Sequence, residues 1–218
     1  MSATPLIHLE SAQVSIQNVE VLRGLSLTIA PGQLVGLIGR NGAGKTTVMR
    51  TLMGHLPLLG GSLSFDGVSL QGQAAHERAR LGIGYMPEDR GLVPELTVEE
   101  NICVPLWAQP VLPLKERLEF VYQVLPELLP MRERKAMLLS GGQQKMVALA
   151  RALTIGQRLL LLDEPFEGVA PALSQRLSEV VGGLRGSGLS VLISQSDQNH
   201  ASSMLDATVV IERGANLS

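Results

Sequence analysis

Two stretches carry residue types that could do chemistry. The first is "GRNGAGKTT", Gly39 to Thr47, which fits G-x-x-x-x-G-K-S/T at every fixed position. Gly39, Gly42 and Gly44 let the backbone turn tightly and approach a ligand with no Cβ in the way. The loop amides, through Arg40, Asn41 and Ala43, and the start of the following helix then face a polyphosphate. Lys45 reaches the β- and γ-phosphates, the Thr46 hydroxyl binds Mg²⁺, and Thr47 closes the motif. The second stretch is "LLLLDEPFEGVAP", Leu159 to Pro171. Four leucines in a row read as a strand buried on both faces, yet the strand ends in two adjacent carboxylates. Desolvating a carboxylate without a partner is costly. A phosphate loop supplies the partner, because a second apolar strand ending in an acid holds the Mg²⁺ there. Asp163 is therefore read as the magnesium-side carboxylate and Glu164 as the group that accepts a proton from attacking water. Taken singly, a glycine turn and an acidic strand end at the surface are ordinary features. Together, with a strand before and a helix after the loop, they define a nucleotide site.

The elements that must position these residues follow from periodicity. "LIHLESAQVSI", "LSLTIAPG", "LVGLIG" and "GSLSFDGVSL" read as strands, the last with a turn at Asp66-Gly67. Thr97 followed by Glu100 in "TVEEN" is a capping box at a helix start. "LKERLEFVYQVL" has helical spacing between Pro113 and Pro126, and "GGQQKMVALARALTIG" is a further helix ending near Gly156. Two apolar strands, "LLLLD" and "LSVLIS", flank the helical "PALSQRLSEVVGGLRGSG". Apolar strands alternating with helices predict an α/β fold with a parallel sheet covered on both faces. The helical block from about Met86 to Ala150 reads as an insertion into that core. The expected organisation is one domain over 1–218, with 1–85 and 151–218 as core and 86–150 as helical subdomain.

Composition narrows the partners. The 218 residues are 45% hydrophobic and 17% charged with a net charge of −2, so a large core is affordable and no basic surface suggests nucleic acid. Mean hydropathy is +0.21, which fits either a leucine-rich core or a docking face for another subunit. The single cysteine, Cys103, rules out an internal disulfide framework. The start "MSATPLIHLE" has no signal-peptide pattern, and no stretch approaches the roughly 20 apolar residues of a membrane span. A cytoplasmic chain is expected.

"LSGGQQKMVALARAL" begins at Leu139, between the phosphate loop and "LLLLDEP". Ser140 can cap a helix, and Gly141 and Gly142 expose amides at its start. With this segment the sequence resembles the ATP-binding-cassette ATPases, whose signature is LSGGQ, over nearly the whole chain. The resemblance implies a P-loop core, an N-terminal antiparallel β subdomain and an inserted α-helical signature subdomain. It also implies a head-to-tail dimer, in which Ser140, Gly141, Gly142 and Gln143 of one subunit close over the ATP held by Lys45 of the other. "IGYMPEDRGLVPELTVEEN", "LLLLDEPFEGVAP" and "LISQSDQN" are together similar to one branch, the ATPase subunits of branched-chain amino acid importers and their urea or amide relatives. Two details depart: "EDRG" replaces the usual "EGRR", and Val169 stands where leucine is usual.

The resemblance also assigns roles. Glu88 falls at the loop that contacts Mg²⁺ and water and reports to the membrane subunit; a helix-entry acid is the other reading. Gln195 falls at the position of the switch histidine, where it can hydrogen-bond the γ-phosphate but carries no charge. His200, five residues on, reads as a surface residue. The family stacks adenine on an aromatic residue, and counting back from "LRGLSL" puts Ile16 there, with Val21 grouped as a further cofactor contact. Ile16 retains apolar contact but loses the π-face, at a cost of about 1 kcal/mol; it reads equally as a strand core residue. Trp107 and the prolines of "VPLWAQPVLPL" fit a groove for a permease helix or plain subdomain packing, and "MRERK" reads as a solvated face.

The leading expectation is therefore an importer engine at the cytoplasmic face of the inner membrane. It binds ATP and Mg²⁺ and works with integral permease subunits, a second cassette ATPase (the same chain or a related one) and, indirectly, a periplasmic binding protein. Ile16 and Gln195 motivate an alternative, an ATP-binding regulatory or assembly module with little turnover. A cassette protein acting on DNA or ribosomes fits less well, for lack of a second phosphate loop, a heptad run or a basic patch.

Overall fold

The computed structural model describes residues 4–108, 112–196 and 204–217. Strand β1 (Ile7–Ile16) alternates apolar and polar residues and pairs antiparallel with β2 (Val19–Ile29). The turn between them puts Gln17 and Asn18 at φ 48° and 64°, the left-handed pair a two-residue hairpin needs. β3 (Leu34–Ile38) leads through the phosphate loop into α1 (Lys45–Met53). β4 (Gly60–Phe65) then pairs with the other edge of β1, and β5 (Val68–Ser69) follows the turn at Asp66-Gly67. The result is a four-stranded antiparallel sheet in the order β2-β1-β4-β5.

The short helix α2 (Ala75–Arg80) sends Arg78 inward. Its guanidinium donates to the carbonyls of Thr51 and Leu52 at the end of α1 and of Leu70 and Gln73. One planar cation thus reaches four acceptors, two of them in the last turn of a helix. Arg78→Met removes that pairing while keeping bulk. We expect a loss of about 3 kcal/mol, read as a lower denaturant midpoint at unchanged slope. An unchanged midpoint would show that water can replace the guanidinium.

β6 (Ile83–Met86), β7 (Leu159–Asp163), β8 (Ser190–Gln195), β9 (Ala207–Glu212) and β10 (Ala215–Asn216) complete the second sheet, in the order β10-β9-β3-β8-β7-β6. The pairs from β9 to β6 are parallel, and β10 returns antiparallel on β9. The leucine run is explained by its alternation. Leu159 and Leu161 join the core shared with α1 and the antiparallel sheet, while Leu160 and Leu162 join the core under the helices on the other face. Asp206, just before β9, accepts the Leu34 amide and pairs with Arg185.

Between β6 and β7 lie α3 (Val98–Ala108), α4 (Leu114–Val124) and α5 (Gly141–Ile155). Thr97 and Glu100 form the expected capping box: Glu100 N donates to Thr97 Oγ1 and Thr97 N to Glu100 Oε2. Both α3 and α4 pack on α5, which continues under β6 and β7. Asn101, fully buried, holds the preceding loop through Val93, Leu96 and Thr97. α6 (Pro171–Gly183) makes the crossover from β7 to β8. The "MRERK" segment is exposed after Met131, as the charges suggest, and so is Trp107 at the end of α3. Part of the proline-rich stretch beyond Trp107 lies outside the described residues.

Periodicity marks no strand at "IGYM". It is β6, the edge of the parallel sheet, and four residues are too short to show a period. Gly84 is what allows it, since a Cβ there would come within 2.2 Å of the Ala152 carbonyl on α5.

Candidate nucleotide site

The register decides what meets what. In the parallel sheet Ile38 lies opposite Gln195, and Asp163 opposite Ser194. Three adjacent strands therefore end together, and the loops leaving their carboxyl ends form the crevice where open α/β sheets bind ligands. Gly42 and Gly44 take φ of 81° and 111°, conformations closed to most L side chains. Gly44 caps α1 without any side chain across its first amides, so the helix start faces the crevice. A cavity of about 340 Å³ results, lined by Val21, Asn41, Gly42, Gly44, Lys45, Thr46, Thr47, Glu88 and Glu164. Gly39 N donates to the Gln195 carbonyl, Ala43 is buried, and Arg40 is exposed; these three shape the loop without lining the cavity.

Lys45 is the best-connected group there. Its ammonium donates to the carbonyls of Gly39 at 2.6 Å and Arg40 at 3.2 Å. It also forms a buried ion pair with Glu164 Oε1 at 2.9 Å. The Ser196 hydroxyl lies 2.8 Å from that same oxygen and 2.7 Å from Asn41 Oδ1. Glu164 itself has φ of 49°, rare for a residue with a Cβ. Such a conformation costs about 1 kcal/mol or more and persists only when the surroundings hold it. Here they do: Glu164 N donates to Ser194 Oγ, and the Glu164 carbonyl accepts from Lys145 Nζ at 2.7 Å.

Asp163 is fully buried. Its Oδ1 accepts from Ser194 Oγ at 2.6 Å, and its Oδ2 has no partner. Burial raises its pKa, with Glu88 and Glu164 adding to the rise and the hydroxyls of Ser194 and Thr46 opposing it. Four buried side-chain atoms lack a partner among the described residues: Glu127 Oε2, Asp163 Oδ2 and both polar atoms of Gln195. Three of the four lie at this one crevice. Each costs about 1–3 kcal/mol in an otherwise satisfied core, which is the mark of a place where a ligand supplies the partner.

The raised pKa has a stability consequence. The folded state holds the Asp163 proton more tightly than the unfolded chain, so stability falls as pH rises through the folded value, and the whole penalty is present above it. Asp163→Asn keeps an acceptor for Ser194 and removes the charge. We expect it to melt about 2–4 °C higher than wild type at neutral pH, with the gap narrowing as pH is lowered. A lower melting temperature at neutral pH would contradict this.

The expected site residues do not all share one cavity. Gln195, 5% exposed, lines a neighbouring cavity of about 350 Å³ with Glu164, Ser196 and the loop Phe166–Val169. Glu88 is exposed and lines both the Lys45 cavity and a groove of about 740 Å³ that includes Arg50, Tyr85, Asp89 and Arg151. Ile16 is half-buried at the end of β1, paired with Val19, and lines neither cavity, whereas Val21 lines the first. His200 lies outside the described residues. Ser140 caps α5 in a reciprocal box with Gln143. Ser140 and Gly141 are exposed, and none of Ser140–Gln143 lines the cavity of its own Lys45.

Ser194, Ser196 and Lys145 were not singled out in the sequence. The serines gave no signal beyond following an apolar strand. Lys145 did: it is a cation directly before the apolar run "MVALA".

Thr46, Asp163 and Glu88 are hard oxygen donors and fit Mg²⁺. The described residues hold no cluster of three His, Cys, Asp or Glu able to bind a metal alone. A Mg²⁺ here therefore needs further oxygens, as phosphates supply.

The comparisons with known proteins agree with this chemistry. A family model described as "ABC transporter" matches residues 22–167. The chain is 35% identical over 196 residues to the high-affinity branched-chain amino acid transport ATP-binding protein BraG of Pseudomonas aeruginosa, covering 90% of this chain and 84% of that one. It is 33% identical to the lipopolysaccharide export system ATP-binding protein LptB of Escherichia coli, covering 89% and 81%. Among solved structures, a nucleotide-free ATP-binding cassette from an ABC transporter superposes with a TM-score of 0.85 at 25% identity, over 98% of this chain and 90% of that one. The ADP conformation of another such cassette gives 0.84 at 26%, with the same coverage.

Proposed function

Since the chain belongs to the ABC transporter family, as its ATP-binding ATPase subunit, we propose that it drives an importer for branched-chain amino acids or related amides or urea. The observation that carries the motor reading is the convergence of Lys45, Thr46, Glu88 and Glu164 on one cavity, with Asp163, one oxygen unpaired, directly before Glu164 at the end of β7.

In this reading the loop amides of Gly42 to Thr47 and the Lys45 ammonium hold the phosphates. Thr46, Asp163 and Glu88 would hold Mg²⁺, which when bound neutralises charge developing on the phosphates. The Lys45–Glu164 pair sets the order of events. Phosphate oxygens compete for Lys45, and Glu164 is freed to act as base only as they take its partner. A carboxylate still paired with an ammonium is a poor proton acceptor. Gln195 then meets the transferred group with its amide, an electrostatic contact rather than a proton transfer. Ser140–Gln143 line no cavity in their own subunit, so we place them over the phosphates of a second cassette in a head-to-tail pair.

ABC ATPase subunits work with membrane permease components, and no helix among the described residues is long and apolar enough to cross a membrane. We place this chain on the cytoplasmic face, with Glu88 bridging the nucleotide cavity and the Arg50–Arg151 groove that a permease would contact. A periplasmic binding protein would deliver the solute. The BraG likeness supports amino-acid import. The LptB likeness favours a second reading, export of lipopolysaccharide by a related engine. Removal of the chain from its host separates them. Import predicts loss of high-affinity uptake of labelled leucine, valine or an amide with an intact outer membrane. Normal uptake with a permeable outer membrane supports export instead.

A further inference from the structure

Lys145 is 4% exposed, and nothing in the proposed chemistry uses it. Its ammonium donates to the carbonyl of Glu164 at 2.7 Å and to the carbonyl of Glu167. It lies in the second turn of α5, the helix that Ser140 caps. A lysine so buried is costly to keep and is retained where its donors are needed. Burial depresses its pKa and Arg90 adds to this, while Glu167, Glu164 and Glu88 oppose it.

What the donors do is visible in the backbone. Glu164 sits at φ 49°, and its peptide groups have three partners, Ser194 on the N–H and, on the carbonyl, Lys145 at 2.7 Å and the Glu167 amide at 3.3 Å. Three residues on, the Glu167 carbonyl is held by the same nitrogen. The turn from Glu164 to Glu167 is therefore closed by its own backbone bond and clamped by one ammonium on both carbonyls, and the direction of the Glu164 carboxylate depends on that turn.

We propose that Lys145 is a positioning residue for ATP hydrolysis, whose buried ammonium clamps the Glu164–Glu167 turn, aims the Glu164 carboxylate at the phosphate cavity, and ties that aim to the helix carrying Ser140–Gln143. This rests on the reading of Glu164 as the hydrolytic carboxylate. The phosphates are held by other groups, so Lys145 contributes to the rate and not to nucleotide binding. A movement of the signature helix in one subunit is passed to the carboxylate of that same subunit through two hydrogen bonds.

The test compares Lys145→Met, Lys145→Gln and Glu164→Gln in the assembly in which the wild-type chain turns over, measuring kcat, KM and Mg·ATP affinity. Lys145→Met fills the space without donors and is expected to lower kcat about 10–100-fold, the scale of a misplacement near 1 Å, with ATP affinity within about threefold of wild type. Lys145→Gln reaches one carbonyl and should fall between, at about 3–10-fold. A merely structural lysine would not produce this graded loss confined to kcat. If Lys145→Met does not fold, Lys145→Gln carries the test alone. The proposal is overturned if a folded Met variant, or the Gln variant alone, keeps kcat within about 1.5-fold, or if affinity falls as far as kcat. Glu164→Gln separates the two levels. If it retains turnover, the reading of Glu164 fails; if it loses turnover while the Lys145 variants do not, only this inference fails.

Discussion

Glu164→Gln should lose about 10³-fold in kcat while binding Mg·ATP at least as tightly as wild type. The substitution is isosteric, and the φ of 49° at Glu164 is held through backbone groups that glutamine also has. The turn therefore survives and only the proton acceptor is lost. Nucleotide binding is expected to gain, because the carboxylate that competes for Lys45 at 2.9 Å has been neutralised. Single-turnover hydrolysis and a nucleotide titration check the two halves. Turnover within tenfold of wild type would mean that another group activates the water.

Lys45→Ala should fail in two separable ways. Nucleotide affinity is expected to fall about 100-fold, since the loop amides remain but the buried cation that lines the phosphate cavity is gone. Stability should fall too. Glu164 is 6% exposed, and without Lys45 its charge keeps the Ser196 hydroxyl and no cation among the described residues. Stripping one partner from a buried pair costs about 3 kcal/mol. The double variant Lys45→Ala/Glu164→Gln removes the stranded charge, so its melting temperature should recover most of the loss while nucleotide binding does not. If both properties recover together, the two residues form a single structural unit and Lys45 has no separate role toward phosphate.

The parts of this fold that could be read from residues alone are those with a strong local period or a fixed spacing. The run Leu159–Leu162 announces a strand buried on two faces because both of its neighbouring layers are apolar, and the structure divides the four leucines between two cores. Thr97 and Glu100 announce a helix start because capping is a contact between residues three apart. The phosphate loop is legible for the same reason. What stays hidden is decided by distant contacts. β6 is a strand because Gly84 lets α5 lie against it, and Gly84 and Ala152 are far apart in sequence. Ser194 and Ser196 enter the site through strand register, which no spacing within "LISQS" encodes. Val21 comes to line the phosphate cavity through the fold of the β1–β2 hairpin against the loop, which no local period announces.

A pattern also links the departures from local rules. Glu164 in a left-handed conformation, Asp163 with an unpaired oxygen, Gln195 with an unpaired amide and Lys145 buried as a cation all sit around one crevice. Elsewhere the described residues satisfy their buried side-chain nitrogens and oxygens, with Glu127 Oε2 as the exception. Strain and unsatisfied groups gathered at one place are retained because the bound state resolves them.

In the proposed reading that bound state is a pair of cassettes, because Ser140 and Gly141 are exposed and none of Ser140–Gln143 lines the phosphate cavity of its own chain. The decisive measurement is the molar mass of Glu164→Gln by light scattering, with and without Mg·ATP. The head-to-tail site predicts a monomer that becomes a dimer when Mg·ATP is added. A chain that binds Mg·ATP and stays monomeric would contradict a site shared between two copies.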